Sequence, residues 1–365
     1  SSLTAGSGTI AFNGVVGGTT PVGSGTGAAI SVTSGTGGVS FANAVTTANG
    51  LSMVPAVSFS GAVDIDSAGS GDTGSNFDGD VTLNGITLDA GRTVTFGDAP
   101  ADTISLAVGP VAIATTANNG NLDFNGAVSG GQDLSLTTDG TGQVIFGADV
   151  SITAGATPAT ALVVDAGGVV LEDNVDLDTS LLPDGDISLT VDGLALGVSN
   201  TINAGTGNVQ LTPRTTTHTV EFGDVDTVGV VTDVYYDSGW SGFTAGSFAV
   251  GDATTPHTGA ITLSGTAGAP YSLSVLNGGG GTIAVSGGYS STNGDLTLDS
   301  GSGVSIGGVT VELGTGVLTV LDAVTLTGTA TLNADGGIAL QSTVDANTLG
   351  IEGLTMEAAV PGLVQ

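Results

Sequence analysis

One phrase punctuates the chain: Gly, then Asp or Asn, then apolar-x-apolar. It reads Gly79-Asp80-Val81-Thr82-Leu83, Gly120-Asn121-Leu122-Asp123-Phe124, Gly185-Asp186-Ile187-Ser188-Leu189, Gly207-Asn208-Val209-Gln210-Leu211 and Gly294-Asp295-Leu296-Thr297-Leu298. A second phrase answers it, apolar-(Asp/Asn)-(Ala/Ser)-Gly, at 88–91, 164–167, 202–205 and 298–301. Each phrase is a short strand running into or out of a tight turn. Gly tolerates positive φ, Asn and Asp bond their own backbone, and apolar-x-apolar is the period-2 signature of a pleat. A chain of 365 residues built from such pieces is a stack of near-identical turns.

Alternation within the pieces is clear. Val81 and Leu83, Val94 and Phe96, Ile104 and Leu106, and Leu134 and Leu136 face one way; Thr82, Thr95, Ser105 and Ser135 face the other. No segment carries a helical 3.6-residue period, so the chain reads as all-β. Gly is 64 of 365 residues, but there is no collagen register, Pro is only 10 and mean hydropathy is +0.39, which argues against collagen and against disorder. Asp80, Thr93 and Thr103 align with Asn121, Asp133 and Gln143 about forty residues on, and this double period implies coils of about 20 residues. A β-sandwich is the competing architecture. Unbroken turn signals, no linker and few large core aromatics favour a parallel β-helix (β-solenoid) in which small β-branched residues ladder through the interior. The regular coils are expected over residues 1–211 and 258–365. Between them, 212–257 loses the period and gathers both histidines, Arg214, Tyr235, Tyr236, Trp240, Phe222, Phe243 and Phe248. This excursion is either a loop over the side of the coils or a change of cross-section.

Charge narrows the function classes. There are 34 acids against two bases, Arg92 and Arg214, for a net charge of -32. Phosphate-backbone binding and attraction to anionic membranes are built from Lys and Arg, so neither is expected. No apolar run approaches the roughly 20 residues of a membrane span, and no Cys is present for disulfides or thiolate metal sites.

The phrases 202–211 and 121–128, and 243–251 followed by 259–263, resemble the repeats of filamentous-haemagglutinin-like giant secreted bacterial proteins. The resemblance implies a right-handed parallel β-helix, export to the cell surface, and adhesion or filament roles.

Catalysis is not expected. The i, i+2 carboxylate pairs Asp64/Asp66, Asp176/Asp178 and Asp224/Asp226 would each share a strand face, but the cationic groups that stabilise developing charge are scarce. Calcium, which takes 6 to 8 hard oxygens, is the more plausible chemistry. Its candidate ligands are Asp72, Asp78 and Asp80 with Asn76; Glu172, Asp173, Asp176 and Asp178; and Asp224 and Asp226 with Asp233 and Asp237. Two functions follow. A structural subunit would assemble head to tail through apolar end residues Ile10, Phe12, Val360, Leu363 and Val364, its partner being itself or the flanking repeats of a longer chain, on a cell-surface fibre. A binding module would instead use Tyr235, Tyr236 and Trp240 to contact a glycan or protein.

Overall fold

The structure, a computed structural model, describes every residue except 1, 4–5, 24–26, 34–36, 67–73, 154–159, 182–184, 224–232, 238–241, 256, 265–266, 270 and 360–365. The chain is all-β, with no α-helix among the described residues, and parallel ladders wind it into a β-solenoid, as the alternation and turn phrases imply. It divides into two compact units, residues 1–187 with 196–203, and residues 188–195 with 204–365.

In the first unit the coils feed three parallel sheets. The first stacks Ile30–Val32, Leu51–Met53, Ser75–Phe77, Val94–Phe96, Leu122–Phe124, Gln143–Phe146 and Gly168–Leu171. The second runs from Ile10–Phe12 through Val39–Phe41, Val57–Phe59, Val81–Leu83, Thr103–Leu106 and Ala127–Gly130 to Thr201–Asn203. The third stacks Val45–Thr46, Val63–Ile65, Thr87–Ala90, Val111–Thr115, Leu134–Thr138 and Leu162–Ala166. Residues bonded one coil apart are separated by 22 to 28 positions in Thr141–Asn119 and Asn121–Thr93, so coils are near the expected length but uneven. The forty-residue alignment is corrected: Val81, after Asp80, lies on the second sheet, whereas Leu122, after Asn121, lies on the first. All three sheets start their strands with the same turn chemistry, so the phrase marks a strand without marking its face.

The alternation is realised. Val81, Leu83, Val94, Phe96, Ile104, Leu106, Leu134 and Leu136 are all buried. The interior differs from the expected ladder of small residues, because seven of the ten phenylalanines form one file inside the first unit. Centroids from Phe12 through Phe41, Phe59, Phe77, Phe96 and Phe124 to Phe146 are 4.7, 5.2, 5.6, 5.5, 5.0 and 5.3 Å apart. Strand spacing of about 4.8 Å sets that interval, and one aromatic per coil fills the core. The file is stacked along the second sheet as far as Phe59 and along the first from Phe77, with an edge-on contact where it crosses between them. At the turn between the third and first sheets, the buried hydroxyls of Thr115 and Thr138 donate to Gly120 O and Gly142 O, both at 2.7 Å. Gly142 O also accepts from Gly167 N at 2.8 Å, so these turn carbonyls, buried at the corner, are satisfied. Gly142 must be glycine, since a Cβ there would sit 2.3 Å from Gly120 O on the coil before.

In the second unit one ladder set stacks Asn208–Thr212, Ser247–Asp252, Ser272–Asn277, Leu296–Ser300, Val317–Val320 and Gly337–Leu340. Another stacks Thr219–Gly223, Ile261–Ser264, Ile283–Val285, Val304–Ile306, Val324–Leu326 and Val344–Ala346. A third carries Ala267–Ala269, Tyr289–Ser291, Thr310–Leu313, Ala330–Ala334 and Leu354–Glu357. The 212–257 segment supplies strands rather than a bare loop. The coil it enlarges is long, with Gln210 Nε2 donating to Gly251 O across 41 positions. Its strand Asp233–Asp237 lies out of chain order, paired with Leu194–Leu196 on one side and with Thr219–Gly223 on the other.

Candidate functional site

The recurrent Asp or Asn before each strand has a visible task. Asp80 Oδ1 accepts from Thr103 N and Thr103 Oγ1 at 2.8 and 2.9 Å, and Thr103 opens the paired strand one coil on. Asn121 Oδ1 accepts from Gln143 N at 2.9 Å in the same position, and Asp149 Oδ1 from Asp176 N at 3.0 Å. Asp176 Oδ1 accepts from Thr201 N and Oγ1 at 3.0 and 2.7 Å. In the second unit Asp295 Oδ1 accepts from Val317 N at 2.8 Å. The side chain thus reaches over one coil height to meet an amide that the ladder leaves free, as an N-cap does for a helix.

Of the calcium candidates, Asp80, Asp173 and Asp176 fall into this pattern, whereas Asp78 and Asp178 bond within their own turn. Asp78 Oδ1 accepts from Asn76 Nδ2, and Asp173 Oδ1 accepts from Val198 N at 2.8 Å. Asp178 Oδ1 accepts from Ser180 N at 2.8 Å, and Glu172 stands exposed. Asp72, Asp224 and Asp226 lie outside the described residues. Among the described residues no three His, Asp or Glu side chains converge in a way that could hold a metal ion. One pairing inferred from spacing is corrected: Asp64 keeps to the outer face, but Asp66, at φ 56°, turns inward to 2% exposure. There Asp66 Oδ2 lies 3.4 Å from Arg92 Nε, an ion pair that joins adjacent coils. The sequence signal for it was Arg92 itself, one of only two cations.

Of the aromatics in the excursion, Phe222, Phe243 and Phe248 are buried and touch one another at centroid distances of 4.8 to 6.4 Å, and Phe248 stacks on Tyr271 at 5.5 Å. They are core. Tyr235 and Tyr236 occupy the strand Asp233–Asp237, with Tyr236 in register with Phe222. Trp240 lies outside the described residues, as do Val360, Leu363 and Val364. Ile10 and Phe12 sit on the strand Ile10–Phe12 and are half-exposed. A shallow groove of about 270 Å³ runs past Ile86, Thr87, Pro110, Ala112, Ser135 and Val163. Asp133 lies on its wall, with burial raising its carboxyl above the usual range.

Both histidines, which the sequence places in one excursion but gives no mutual contact, meet in the second unit. His257 Nε2–H donates to His218 O at 2.9 Å, and His218 Nδ1 lies 3.9 Å from Asp192 Oδ1. Among the described residues no helix is long and apolar enough to cross a membrane. No family model, curated protein or solved structure matches the chain.

Proposed function

We propose that the chain is a structural protein, a β-solenoid segment that joins end-on to further coils of its own kind and builds a fibre at the cell surface. The observation that carries this reading is the condition of the outermost strands. Ile10–Phe12 pairs with Val39–Phe41, Val344–Ala346 with Val324–Leu326, and Leu354–Glu357 with Ala330–Ala334. Among the described residues no strand occupies their other sides. Val344 and Met356 are in register with buried Val324 and Leu332, yet stand 38% and 37% exposed. Leu349 and Ile351 beside them are exposed too. Such an edge offers unmet N–H and C=O groups beside apolar ladder positions, the template on which another strand adds. A head-to-tail contact of this kind does not close on itself and propagates as a filament. The partner in this reading is a second copy or the flanking coils of a longer chain. Export and a surface location belong to the same proposal and rest on the repeat phrases that resemble secreted bacterial proteins. Electron microscopy of the concentrated protein tests it. Fibres are expected from the wild type and should be lost with Val344→Asp; dispersed particles from the wild type at every concentration would refute the reading.

A further inference from the structure

We propose that His218, His257 and Asn277 form an acid-sensitive latch in the second unit. With the His257 ring neutral it holds shut the corner where the 212–257 segment rejoins the regular coils, and a proton on that ring opens it. The chain has two histidines and the fold brings them together across 39 positions. His257 is 3% exposed, and its Nε2–H is committed to His218 O. Thr258 N donates to Thr216 O at 2.8 Å alongside, so the corner is stitched twice.

Donating through Nε2 leaves a neutral imidazole with a bare acceptor at Nδ1. That Nδ1 is buried and has no partner. Asn277, 0% exposed, gives its Nδ2 protons to Gly259 O and Thr282 O at 2.9 and 3.3 Å, which leaves its buried Oδ1 without a donor. A proton on Nδ1 would make these two groups a hydrogen bond. It would also place a cation in the corner with no carboxylate among the described residues to answer it. The titratable group facing the ring is His218, itself a base. Asp192 lies behind His218 and already accepts from Thr215 N and Oγ1. Asp252, on the same coil, is turned to Thr254 and Thr255. Burial therefore outweighs the hydrogen bonds that His218 O and Asn277 Oδ1 would offer a charged ring, and holds it below the ordinary imidazole value of 6.5. The sign follows. The unfolded chain takes up this proton more readily than the folded one, so the corner's contribution to stability is complete above pH 6.5 and is lost as pH falls below it.

With two histidines in the chain, the ring signals of the intact protein can be followed by NMR from pH 8 to 4, together with amide exchange at Thr258 and Gly281. Gly281 N donates to His257 O. The expected result is one ring, removed by His257→Gln, that titrates below 6.5, with Thr258 and Gly281 losing protection as it does. Amides of the first unit such as Phe124 should keep theirs. A His257 ring that titrates at or above 6.5, or protection at Thr258 and Gly281 that is unchanged through its titration, would overturn the proposal. If His257→Gln does not fold, Asn277→Asp gives the same reading with opposite sign. A carboxylate beside Nδ1 should raise the ring's titration and protect the corner in acid.

Discussion

Asp80 and Asn121 do one job with different charges, each accepting from the amide that opens the paired strand of the next coil. The task needs an oxygen acceptor on a short side chain and not a negative charge. Asp80→Asn should therefore leave the denaturation midpoint nearly unchanged, while Asp80→Ala should cost about 1–2 kcal/mol, the usual cost of a lost cap. Equal losses for both variants would return the carboxylate to an ionic role such as calcium binding. Asp123 is the opposite case. It lies outward on Leu122–Phe124, between Thr95 and Ile145 of the neighbouring coils, and its Oδ1 is buried without a partner. Burial raises its carboxyl above 3.8. The penalty for holding it ionised is present above that raised value and fades as pH falls through it. Urea titrations should show Asp123→Asn more stable than wild type at pH 7, with the gain vanishing toward pH 3.

A coil of this solenoid is defined by what its strands pass to the next. Phe124 touches Phe96 below and Phe146 above, so its removal opens a void that three coils share. Phe124→Ala should cost about 3–5 kcal/mol and Phe124→Leu less than about 1.5, measured by denaturant unfolding. Gly142→Ala should also destabilise, because the coil before it leaves no room for a Cβ. The Phe file was hard to foresee in the sequence. Its members lie 18 to 29 residues apart on two different sheets, and nothing local marks them as neighbours. The strand Asp233–Asp237 was invisible for a related reason. Its own pattern gives a strand but not its place between two strands that precede it in the chain.

Taken as a whole, the chain carries a net charge of -32 with two cations to offset it. Self-repulsion at this level opposes the compact state and is relieved by counterions. Raising sodium chloride from about 10 mM to 150 mM, a change in Debye length from about 30 to 8 Å, should raise the melting temperature. Calcium at matched ionic strength then separates screening from coordination. An equal melting temperature with and without chelator would end the calcium proposal, and a further rise would revive it for clusters such as Asp173, Asp176 and Asp178. Fibre formation belongs to this scale as well, since it depends on edges that single coils do not have.

The sequence by itself determined the class. Apolar-x-apolar steps between Gly, Asp and Asn turns specify short pleated strands, and an unbroken run of them without a linker favours stacking over a sandwich. It also marked Asp80, Asn121 and Asp295 as special, because the same residue types recur at the same offset from each strand. The tertiary structure alone decided which sheet each strand joined, how long each coil became, and what those side chains touch. Each of these depends on a partner roughly 20 or more residues away, and turn chemistry is too similar on every face to specify it. The meeting of His218 with His257 is the clearest instance. Two residues 39 positions apart become neighbours because one enlarged coil, with a strand folded back into it, sets them at the same corner.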